Sequence, residues 1–116
     1  MKKRIVFRNM ETSTVMEDYA NKQLAKIEHF LEDERSPLFI DLYFEPSKVH
    51  EHHRIELHVK TPNYDKSIDY EYEGTNFYDV LDRVIDTMYR ELHEAKRRLN
   101  DKKKTIGRHE EFKKQR

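Results

Sequence analysis

Residues 76–100 read NFYDVLDRVIDTMYRELHEAKRRLN, and the apolar members Phe77, Leu81, Val84, Ile85, Met88, Leu92, Ala95 and Leu99 recur in steps of three and four. That spacing places them in one stripe along one helix. A helix of this length spans roughly 37 Å, about the width of a small domain, so the other apolar segments must pack along the stripe. The outward residues change sign along the rod. Asp79, Asp82 and Asp86 stand in its first half; Arg90, Lys96, Arg97 and Arg98 stand in its second, and Lys102, Lys103 and Lys104 follow. Acids at the amino end and bases at the carboxyl end complement the helix dipole, but that effect fades within the terminal turns. It does not reach Arg83 and Arg90. The basic half is therefore a candidate pole for a polyanion.

Working back from this helix, Gly74 ends the preceding segment and Thr75 or Asn76 is the expected cap. Residues 65–73 alternate, with Ile68, Tyr70 and Tyr72 on one face, and residues 54–60 alternate with Ile55, Leu57 and Val59 inward. Both patterns predict half-buried antiparallel strands, joined by the turn Thr61-Pro62-Asn63. Residues 38–45 (LFIDLYFE) form another strand, with Leu38, Ile40, Leu42 and Phe44 on one face and Pro46 at its end. A helix is expected from the cluster Thr12-Ser13-Thr14, where Thr14 and Glu17 have capping-box spacing; Tyr19, Gln23, Leu24, Ile27, Phe30 and Leu31 continue it. Residues 3–8 read as a first strand, with Ile5 and Phe7 on one face. The order β-α-β-β-β-α predicts an α+β two-layer domain over residues 1–100, a four-stranded sheet with two helices packed on one face. Residues 101–116 lack a sustained apolar stripe and are expected to be a basic tail, disordered in isolation.

Length and composition fit one domain. The chain has 116 residues, with 23 basic and 23 acidic side chains and no formal net charge, which argues against a uniformly basic nucleic-acid binder. The balance is uneven, however: from Arg90 onward eleven bases meet five acids, so this end carries +6 and residues 1–89 carry −6. Such asymmetry marks a molecule with one end suited to phosphates. The lack of cysteine excludes disulfides, thiolate zinc sites and cysteine nucleophiles, and fits a reducing, cytoplasmic setting. Near the amino end, charge returns after three apolar residues, so no signal-peptide core is expected, and no apolar run is long enough to span a membrane.

Four groups of residues invite a chemical reading. His50-Glu51-His52-His53, with His58 nearby, would form a hairpin tip; imidazoles suit zinc or nickel, but helical i, i+4 spacing is missing and a solvated tip is the plainer reading. A metal-responsive or protein-interaction module built on this hairpin is the alternative function. The carboxylates Asp79, Asp82 and Asp86 form a ladder favoured by the helix dipole rather than a catalytic set, and neither a glycine-rich phosphate loop nor a nucleophile elbow is present. No enzyme activity, catalytic residue, cofactor or small-molecule substrate is expected. Among the tyrosines, Tyr78 and Tyr89 flank the apolar stripe and are the candidates for base stacking, against packing on the sheet margin. Finally, Arg83, Arg90, Arg97 and Lys104 recur every seven residues along the long helix, and Lys22, Lys26 and His29 share a face of the first. With both helices on one side of the sheet, these lines would flank one groove.

These segments together resemble the ribosome hibernation factors of the sigma-54 modulation and S30EA ribosomal-protein family. The opening IVFRNME (residues 5–11), the first-helix run YANKQLAKIE (residues 19–28) and Phe77-Tyr78, Leu81-Asp82, Ile85-Asp86, Arg90 and Leu92 are similar to family patterns in the same order. The resemblance implies a fold akin to double-stranded RNA-binding domains, in a short form without the second domain of longer members. It implies a cytoplasmic, ribosome-binding protein seated on the small ribosomal subunit and its rRNA, competing with tRNA and mRNA and holding ribosomes idle in stationary phase or stress. Carried onto this chain, the rRNA-binding residues are Lys22, Lys26, Arg90 and Lys96, with Arg8, Arg83, Arg97 and Arg98 beside them. Where family members carry a dense lysine run, this chain has Thr87, His93, Glu94 and Ala95.

Overall fold

The computed structural model describes the backbone over residues 2–46, 52–73 and 76–114, and side chains over 2–46, 53–71 and 76–102. Its elements are β1 (Lys2–Phe7), α1 (Thr14–Phe30), β2 (Phe39–Pro46), β3 (His52–Lys60), β4 (Asp65–Glu73) and α2 (Phe77–Lys114). The strands form one sheet in the order β1-β2-β3-β4. β1 runs parallel to β2, with Ile5 opposite Leu42 and Phe7 opposite Phe44. Parallel neighbours need a crossover connection, and α1 supplies it. β2, β3 and β4 follow as an antiparallel meander. Its last turn is closed by Thr61, whose Oγ1 accepts the backbone N–H groups of Asn63 at 3.2 Å and Tyr64 at 2.9 Å.

The period-two pattern of the strands sorts cleanly into two faces. Ile40, Leu42, Phe44, Ile55, Leu57 and Val59 are fully buried, while their neighbours Asp41, Tyr43, Arg54 and Glu56 stay partly exposed. Against the apolar face α1 lays Ala20, Leu24 and Ile27, and α2 lays Leu81, Val84, Ile85, Met88 and Leu92. This is the expected two-layer α+β architecture. Burial of each such large side chain contributes about 1.5–3 kcal/mol, so the face between the layers holds the fold together. Val80 is also fully buried, which widens the stripe beyond the residues its spacing picked out.

Local boundaries differ from expectation in three places. Ser13, in extended conformation, caps α1 by accepting the Met16 N–H at 3.2 Å, so Thr14 is the first helical residue rather than the cap of a Thr14–Glu17 box. Asn76, as expected, caps α2: its Oδ1 accepts the Asp79 N–H at 3.1 Å. The second difference is the length of α2, which continues past Asn100 to Lys114. Residues 101–114 are rich in Lys, Arg and Glu, strong helix formers, and extending a nucleated helix needs no new nucleation. An apolar stripe is needed for packing, not for helix as such. Third, β3 begins at His52, so His52 and His53 belong to a strand and not to a loop tip. No helix among the described residues is long and apolar enough to cross a membrane.

Candidate nucleic-acid interface

Two sets of side chains join the helices. At one end the Tyr19 hydroxyl donates to Asp82 at 2.7 Å, and the Tyr19 and Tyr78 rings meet edge to face at 4.8 Å. At the other, Phe30 meets Tyr89 at 6.1 Å and His93 at 4.6 Å, and the Lys96 ammonium lies 5.3 Å from the centre of the Phe30 ring. Tyr19 with Asp82 and Phe30 with His93 share one sequence offset, so α1 and α2 run parallel and in register along the seam. This alignment has an electrostatic consequence. The early acids of both helices, Glu17, Asp18, Asp79 and Asp82, gather at one end, while toward the other lie Lys22, Lys26, Arg90, Lys96 and Arg97, interrupted by Glu28, Glu91 and Glu94. At the acidic end the Tyr19 hydroxyl is pushed up to about 12, first by its hydrogen bond to Asp82 and then by desolvation.

The expected interface residues divide by position. Lys22 and Lys26 are exposed on α1, and Arg90 is exposed on α2; none of these three has an ion-pair partner among the described residues. Arg83 and Arg97 lie on the same outward line of α2 as Arg90, with Arg97 also 3.9 Å from Glu94. Lys96 points to the α1 side through its contact with Phe30. Together these six flank the seam. Arg98 does not join them: it bonds Glu94 at 3.0 Å and lines a groove on the opposite flank of α2 with Tyr64, Lys66, Leu99 and Lys102. Arg8 lies farther away still, on the sheet face that the helices leave open. Its guanidinium sits 4.0 Å from the centre of the Tyr43 ring and 3.9 Å from Glu56. Alternation explains its position: Phe7 points into the core and stacks on Phe44, so Arg8 must point out the other side.

Among the described residues, His53 and His58 do not come together. His53 points inward, its ring 4.3 Å from Phe77, and its Nδ1 is buried without a hydrogen-bond partner. His58 points outward and bonds Asp65 at 2.6 Å. Residues on opposite faces of one strand cannot share an ion. His50 and Glu51 lie outside the described residues, as does the side chain of His52. Among the described residues no group of three histidines, aspartates or glutamates could hold a metal.

Sequence reasoning missed the aromatic cluster at the basic end. Tyr89 packs on Phe30 and His93 between the helices, not on the sheet margin. The i, i+4 spacing of Tyr89 and His93 was the available signal, but only the helix register shows that Phe30 meets them.

A family model described as Sigma 54 modulation protein / S30EA ribosomal protein matches residues 4–100. Among solved structures, the N-terminal domain of Protein Y from Thermus thermophilus is similar with a TM-score of 0.65 and 22% identity, over 84% of this chain and 98% of that one. A ribosomal subunit interface protein from Coxiella burnetii is similar with a TM-score of 0.68 and 17% identity, over 83% of this chain and 98% of that one. At such identities both likenesses concern the fold. No curated protein sequence matches the chain. With nearly all of the two-layer domain inside the family match, the chain belongs to the Sigma 54 modulation protein / S30EA ribosomal protein family.

Proposed function

We propose that this protein binds the small ribosomal subunit through the basic half of its helix pair, occupies the tRNA and mRNA channel, and silences or preserves idle ribosomes under stress or in stationary phase. The observation that carries the reading is the parallel, in-register seam: it sets Lys22 and Lys26 on one side and Arg90, Lys96 and Arg97 on the other, over a fully buried core. Family membership supports it, as does the fold shared with a ribosomal subunit interface protein.

The mechanism is occlusion. A rigid wedge neutralises phosphates with exposed cations and excludes messenger and tRNA by volume, with no bond made or broken. RNA is recognised by shape and backbone more than by base edges. Each neutralised phosphate releases counterions, so binding falls steeply with salt. Arg8 and Arg98, on other surfaces, contribute little to this contact.

Co-sedimentation with vacant small subunits tests the reading. The wild-type protein travels with the subunits at low salt and leaves them at high salt. Replacing Lys26, Arg90 and Lys96 together by Glu abolishes co-sedimentation while the thermal transition stays nearly unchanged, because exposed charges contribute little to folding. A wild-type protein that remains at the top of a low-salt gradient, with subunits in excess, overturns the proposal.

A further inference from the structure

We propose that Tyr89 and His93 form a stacking platform for one unpaired nucleobase of the bound RNA, so that the basic face grips a single-stranded nucleotide as well as phosphates. The inference rests on the ribosomal-RNA reading above and specifies one contact within it. Tyr89 is 39% exposed, although it lies beside a core in which most large apolar side chains are wholly buried. Its neighbours do not use it as a parallel stack: Tyr89 and His93 meet at 67°, Phe30 and Tyr89 at 70°, and Phe30 and His93 at 58°. None of these contacts is a parallel stack, and the exposed part of the Tyr89 ring can offer one to a planar ligand.

Other aromatic groups near the surface are already engaged. The Tyr43 ring is covered by Arg8, and Tyr19 donates its hydroxyl to Asp82 and is less exposed than Tyr89. Around Tyr89 and His93 the charge suits a nucleotide. Arg90 and Arg97 line a shallow depression with His93 on the outward side, and Lys96 stands over Phe30 on the α1 side. The one acid of that depression, Glu94, is within 3.9 Å of Arg97 and 3.0 Å of Arg98, so its charge is countered. A base resting on the rings would have cations on both sides for its flanking phosphates. Aromatic stacking accepts any base, as every base has a π face, and unpaired nucleotides are where proteins find such faces in RNA.

The test uses the full chain and a short oligouridylate carrying one 2-aminopurine, whose fluorescence is quenched on stacking. Wild type and Tyr89→Phe quench it. Tyr89→Leu, which keeps an apolar contact to Phe30 but has no ring, binds about ten-fold more weakly with its salt dependence unchanged, since a stack and not a phosphate contact is lost. If Tyr89→Leu binds and quenches like wild type while Lys26→Glu with Arg90→Glu has lost binding, the stacking proposal falls and the cationic face stands. Absence of quenching by wild type that still co-sediments with small subunits has the same meaning. Failure of wild type to bind either the oligonucleotide or the subunit overturns both.

Discussion

The two broad faces of this domain use their charged side chains in different ways. On the open face of the sheet, charges pair across strands. Arg4 reaches Asp41 at 3.2 Å and the Tyr43 hydroxyl; Arg54 donates twice to Asp69, at 2.9 and 2.6 Å, and lies 3.7 Å from Glu45; His58 meets Asp65. Arg54 holds the Asp69 carboxyl below its usual range, chiefly by hydrogen bonding, and the Arg54 guanidinium is raised in turn. On the helix face the cations Lys22, Lys26 and Arg90 have no such partners among the described residues. A sheet brings unlike charges together because facing residues on neighbouring strands sit side by side. Along α2, by contrast, Asp79, Asp82 and Asp86 come before Arg90, Lys96, Arg97 and Arg98, so the signs are partly separated toward opposite ends. The formal net charge of the whole chain is zero, so it is the local excess of unpaired bases on the helix pair that a polyanion can feel.

Both faces depend on the layer between them, so the largest effect is expected there. Leu57→Ala, at a fully buried site of β3, lowers stability by about 2–5 kcal/mol in chemical denaturation. A loss well below that range would mean that the two faces do not share one tightly packed core. Next is the helix seam. Tyr19→Phe removes the bond to Asp82 at a cost of about 1 kcal/mol. Because the folded-state hydroxyl is raised to about 12 from its usual 10, this advantage is fully present below pH 10 and disappears as pH rises through 12. Denaturation series at pH 8 and 12 check it; an equal gap at both contradicts the assigned bond. Smallest is the sheet-face pair. Arg54→Met costs under about 1 kcal/mol, since both partners are 40–50% exposed and screened by water. Here the carboxylate is lowered, so the pair's contribution is present above the ordinary aspartate range and is lost as pH falls through the depressed value. Wild type and variant should therefore converge on acidification, and a constant gap down to pH 2 would count against the pair.

The two faces also differ in how far the sequence revealed them. The strands, both helices and their order were legible because burial imposes period two on Ile55, Leu57 and Val59 and helical spacing on Leu81, Ile85, Met88 and Leu92. Arg90 and Lys26 were legible as exposed bases for the same reason. Position relative to other elements was legible only in part. That Arg8 faces away from the helices was implicit in the alternation that turns Phe7 inward. That Arg98 leaves the seam was not, because it follows from the helix–helix register and not from local spacing. The length of α2 was missed because residues 101–114 lack the apolar stripe by which helices are recognised, although their composition favours a helix. His53 was read with its loop neighbours because consecutive histidines share chemistry, whereas β3 alternation turns His53 inward and His58 outward.

The distinction between the faces can be measured with two variants of equal charge change: Lys22, Lys26 and Arg90 each replaced by Gln, and Arg4, Arg8 and Arg54 each replaced by Gln. Affinity for the small ribosomal subunit is followed against salt concentration. The helix-face variant should bind more weakly, with the slope of log affinity against log salt reduced by roughly 2–3, and the sheet-face variant should keep the wild-type slope. Equal reduction in both variants, or loss confined to the sheet-face variant, would contradict the claim that the helix pair carries the ribosome contact.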